Sequence, residues 1–106
     1  MSAVFDLYGI RHETIEAARE AVERALGVTL VPHESSYLGE YYRAGGAAGE
    51  ELVLQPNFHE GEREFLEPEH RDSPFLLYVN HARTPEETRA KLEREPGVAR
   101  LRHRER

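Results

Sequence analysis

The chain contains no cysteine and no tryptophan, a single methionine, and one lysine, Lys91, among its 14 basic residues. The missing cysteine excludes a disulfide framework, a thiolate metal centre and a cysteine nucleophile together. Any chemistry has to come from histidine, carboxylate, serine or tyrosine. Long apolar runs are missing as well, and nothing approaches the roughly 20 residues that a membrane span needs. The opening Met1-Ser2-Ala3-Val4-Phe5-Asp6 has neither the basic region nor the apolar stretch of a secretory signal. The expectation is a cytoplasmic protein with no membrane partner.

What is present is a chain of 106 residues, 39% hydrophobic and 32% charged. That length suits one domain with one core, over residues 1–106. The formal charge is −6 and is unevenly placed: Arg100, Arg102, Arg104 and Arg106 against Glu105 make the end of the chain +3 and leave −9 on the rest. An acidic body repels phosphate backbones, so no nucleic-acid partner is expected. The arginines of 100–106 suit a disordered basic tail, a guard on an edge strand, or a partner for an acidic segment elsewhere.

Along the chain, residues 3–8 alternate as a strand does, with Phe5 and Leu7 on one face and Asp6 and Tyr8 nearer the other. From His12 to Leu26 the apolar positions Ile15, Ala18, Val22, Ala25 and Leu26 recur at helical spacing, and Gly27 is the natural stop. Val28 to Val31 reads as a short strand halted by Pro32, and residues 37–55 as a β-hairpin turning through the glycines at 45, 46 and 49. Residues 57–74 carry no convincing period and make a long loop, of the length that tends to be functional. Phe75 to Val79, apolar on both faces, is a central buried strand. Thr84-Pro85-Glu86-Glu87 is a start signal for a second helix, and Val98 to Arg102 a last, edge strand. The order predicts an α+β fold: a mostly antiparallel sheet with two helices on one face, a two-layer sandwich whose nearest common architecture is ferredoxin-like. Phe5, Leu7, Val22, Leu26, Leu54, Leu77 and Val79 are the expected core between helices and sheet.

The candidate chemistry is thin. No two histidines stand four apart on a helix as metal ligands would, no Gly-x-Ser-x-Gly frame positions a nucleophile, and the glycines match neither a phosphate loop nor a dinucleotide fingerprint. No metal and no cofactor are expected. Two segments stand out as partner-binding surfaces. Tyr37 and Tyr41 flank Gly39 on one strand face, leaving a gap where another backbone or a ligand fits. The acidic loop sets Phe65 and Leu66 among Glu60, Glu62, Glu64 and Glu67, a composition that steers by charge and anchors by burial. Such a surface suits a basic protein partner. The alternative is a small hydrolase or metal-dependent enzyme built from His33, His59 and His70 with nearby carboxylates.

Three strings, Ser35-Ser36-Tyr37-Leu38-Gly39-Glu40-Tyr41-Tyr42, Leu52-Val53-Leu54-Gln55-Pro56-Asn57 and Asp72-Ser73-Pro74-Phe75-Leu76-Leu77-Tyr78-Val79, taken in order, resemble small bacterial immunity-type proteins encoded beside polymorphic toxins. The resemblance implies a binding protein that blocks a toxin and needs no cofactor. It carries no residue-level site.

Overall fold

The computed structural model describes residues 2–35, 39–46 and 49–106. Strand β1 (Val4–Ile10) leads into helix α1 (Ile15–Leu26), then β2 (Val31–Ser35), β3 (Gly39–Gly45) and β4 (Glu51–Pro56). Two short strands, β5 (Phe58–His59) and β6 (Glu64–Phe65), and one 3-10 turn at Pro68–His70 follow; β7 (Phe75–Asn80), helix α2 (Pro85–Leu92) and β8 (Val98–Glu105) complete the chain. The main sheet has the order β2-β3-β4-β7-β1-β8, and every neighbouring pair is antiparallel. This is the expected α+β class. Its β4-β7-β1-β8 portion, with α1 after β1 and α2 after β7, is the split-βαβ layout, widened at the β4 edge by the β2–β3 hairpin.

Helix α1 starts where its capping chemistry allows, at Ile15 rather than His12. Thr14 is extended and its hydroxyl accepts from the Ala17 N–H at 3.1 Å, while Gly27 closes the helix in the left-handed region at φ 66°. Pro32 does not halt β2. That strand is an edge, paired only with β3, and an edge tolerates a residue with no N–H.

The core between helices and sheet joins Tyr8, Ile10, Val22, Leu30, Tyr42, Leu52, Leu54, Leu77, Val79, Leu92 and Val98, with Leu26 packed against it. Val22, Leu54, Leu77 and Val79 are where the sequence placed them. Phe5 and Leu7 are not: strand alternation sets them opposite Tyr8 and Ile10, on the sheet face away from the helices. Leu7 is nevertheless buried, as are Leu76 and Gln55, because the segment 57–74 lies over that second face. Gly9 permits the approach, since a Cβ there would overlap the Ser73 hydroxyl.

The end of the chain is a strand, not a disordered tail. Strand β8 pairs with β1 up to Val4↔Glu105, but its register slips between Leu7 and Tyr8: Leu7 faces Arg102 while Tyr8 faces Arg100. The extra residue, Leu101, is a β-bulge. Arg100 therefore turns to the helix side, where it meets Glu86 of α2, and Arg102 turns to the other face.

Candidate functional site

The loop 57–74 owes its shape to one buried side chain. The Asn57 amide nitrogen donates to the carbonyls of His70 (2.8 Å), Ser73 (3.1 Å) and Glu67 (3.4 Å), and its oxygen accepts from the Glu67 N–H at 2.8 Å. Its main chain receives Leu66 N–H and donates to the Pro74 carbonyl. A segment without periodicity is thus tied by six hydrogen bonds to one residue that water does not reach.

From this base β5 and β6 project as a two-stranded tongue, pairing Phe58 with Phe65 and His59 with Glu64. The two phenyl rings meet edge-on at 5.1 Å between centroids, and the Arg71 guanidinium lies 5.4 Å from the Phe65 ring. Phe65 is consequently half-buried, whereas Phe58 is 42% and Leu66 36% exposed. Glu60, Glu62 and Glu64 are exposed on the tongue beside them. Arg63, at its turn, has φ 56°.

Glu67 behaves differently from its acidic neighbours. Tyr78 Oη donates to Glu67 Oε2 at 2.6 Å, and the Arg102 fork spans both carboxylate oxygens at 3.0 and 3.3 Å. Burial pushes the Glu67 carboxyl upward, but the hydrogen bonds from Arg102 and Tyr78 outweigh it and hold the group below its ordinary range. Burial and the Glu67 contact together push the Tyr78 phenol up. Glu67 is a latch that fastens the loop to β7 and β8, and one of the tail arginines is its partner.

Tyr41, half-buried on β3, stacks on His33 of β2 with ring centroids 5.4 Å apart. Gly39 has φ 74° with open space where a side chain would stand, and an open hollow lined by Glu34, Ser35, Gly39 and Glu40 adjoins it. Tyr37, the other ring of that reading, lies outside the described residues. Tyr42 faces the core, and its hydroxyl donates to Glu40 at 2.8 Å.

The histidines do not gather. His33 sits on the edge strand, His59 is the buried residue of β5 and His70 lends its carbonyl to Asn57. Among the described residues no three His, Asp or Glu side chains come together as a metal-ligand set. One pairing lay outside the sequence reading: buried Asp6 meets His103 Nδ1 at 2.5 Å across the β1–β8 ladder. The contact joins residues 97 positions apart and has no local signature. Phe58 was also missed, although it precedes a histidine in the same loop; only its 42% exposure in the fold shows that it faces outward. The chain matches no family model and no curated protein, so the tongue stands as a candidate site on its own geometry.

Proposed function

We propose that this chain is an immunity-type binding protein that blocks a basic protein partner through the β5–β6 tongue. The observation that carries the reading is the exposure of Phe58 and Leu66 on the same short, braced loop that exposes Glu60, Glu62 and Glu64. Apolar side chains exposed on a charged surface are the composition of an interface centre with a charged rim. The Asn57 anchor holds the tongue in place before any encounter, which lowers the ordering cost of binding. Phe65 supports from below and Phe58 makes the contact; Glu67 is engaged internally and contributes through the shape of the loop. The resemblance to immunity-type proteins points to the same role.

The test is kinetic, on a partner co-purified with the chain and then reconstituted from purified components. Replacing Glu60, Glu62 and Glu64 with Gln lowers the association rate about tenfold and flattens its salt dependence. Phe58→Ala or Leu66→Ala raises the dissociation rate by about tenfold or more, since apolar burial at a patch centre sets residence time. A reconstituted complex indifferent to all of these substitutions refutes the tongue as the interface.

A further inference from the structure

The free face of the sheet beside the latch carries a recess of about 180 Å³, lined by Phe5, Asp6 and Leu7 of β1, Tyr78 and Asn80 of β7, and Arg102, Arg104 and the adjoining Arg106. Its construction follows from the register. Leu7 pairs with Tyr78 on one side and Arg102 on the other, and Phe5 pairs with Asn80 and Arg104. The recess is therefore two successive rows, each an arginine, an apolar residue and a polar β7 side chain. The first row is filled by the protein itself: the Glu67 carboxylate sits between the Arg102 fork and the Tyr78 hydroxyl. In the second row Asn80 donates to Glu51, and the arginine end has no such occupant. Arg104 is exposed and has no acidic partner among the described residues, and Arg106 lies over the Phe5 ring at 5.7 Å. The other nearby carboxylates are committed: Glu51 to Arg43 and Asn80, and Asp6 to His103 on the helix side of the sheet.

We infer that this second row is a binding site for a small organic anion, a phosphate or carboxylate carried on an apolar ring. The oxyanion takes, at Arg104, the place that Glu67 takes at Arg102, because a guanidinium fork matches either head group. The ring lies against Phe5, where the guanidinium of Arg106 borders the same surface. Arg102 is compensated by Glu67, whereas Arg104 and Arg106, at alternate positions of the same strand, repel each other, and an anion relieves that repulsion. The site is separate from the tongue and stands whether or not the tongue binds a protein.

Phenyl phosphate, benzoate and inorganic phosphate, titrated into the full chain and followed by amide chemical shifts, decide the matter. The expected result is saturable shifts at Phe5, Asn80 and Arg104 with phenyl phosphate or benzoate, the tighter of the two identifying the head group. Inorganic phosphate binds about tenfold more weakly, for want of the ring contact. Arg104→Gln weakens the aromatic anion about tenfold or more, the loss of one charge-assisted fork, while Arg94→Gln, at an exposed position in the turn after α2, leaves it unchanged. Both positions are exposed, so the fold survives either substitution. No shifts at these residues, equal binding of inorganic phosphate, or equal losses in the Arg104 and Arg94 variants would each overturn the site.

Discussion

Asn57 shows how much of a loop can hang on one side chain. Its amide is fully buried and its donors meet three carbonyls from 67, 70 and 73, so no other residue type supplies the same pattern. Removing it strands those carbonyls and the Glu67 N–H away from water. Asn57→Ala is expected to cost about 2–3 kcal/mol in urea unfolding, and Asn57→Asp at least as much, since a carboxylate would face three carbonyl oxygens. An unchanged midpoint in either variant would show that the loop holds without this anchor. Asn57 reads in the sequence as an ordinary turn residue after Pro56; nothing local announces its burial, because the groups it satisfies are ten to sixteen positions away.

At the scale of elements, the two helices carry similar start signals and use them differently. Thr14 caps α1 through its hydroxyl, whereas Thr84 makes no side-chain cap bond and α2 relies on Pro85 at its first turn and on pairs such as Lys91–Glu87 at 3.1 Å. Thr14→Ala should therefore destabilise the protein by about 1 kcal/mol and Thr84→Ala by well under that, measured side by side by thermal unfolding. Equal costs would mean that the capping difference has no energetic weight. Both helices were legible because their signals are local: apolar periodicity and the Gly27 stop for α1, the Thr84-Pro85-Glu86-Glu87 start for α2. The β1 face assignment was not: Phe5-x-Leu7 and Asp6-x-Tyr8-x-Ile10 alternate equally well, and which row meets the helices depends on what covers the other. The β8 bulge is a further case, since the arginines at 100, 102, 104 and 106 share one face in any regular strand and only the slip at Leu101 divides them.

For the whole molecule, carboxylates held by specific partners link stability to pH. Glu51 is lowered by its hydrogen bond from Asn80 and by Arg43, Glu67 by Arg102 and Tyr78 against burial, Glu93 by the Arg100 N–H and Glu95 by Arg24. Each folded value lies below the ordinary 4.5. The stability they confer is thus fully present above that value and is lost as pH falls through the folded values. Acid unfolding should begin below about pH 4.5, and Glu67→Gln should reduce the pH dependence there, with the loop 57–74 losing amide protection at neutral pH. An identical acid profile in the variant would show that the latch contributes nothing to the linkage.

The sequence by itself determined the class of the molecule: two helices, a mostly antiparallel sheet, a cysteine-free acidic chain, and a long acidic loop as the surface worth testing. Those properties reside in periods of two and 3.6 residues and in composition, which neighbouring residues settle among themselves. Only the tertiary structure decided that the loop covers the second face of the sheet, that Glu67 is a latch while Glu60, Glu62 and Glu64 remain exposed, and that Arg104 is left without a carboxylate among the described residues. Each of these depends on contacts between residues far apart in the chain, such as Glu67 with Arg102 and Asp6 with His103. Such pairings are fixed by strand order and by a one-residue slip in register, and neither leaves a mark in the local sequence.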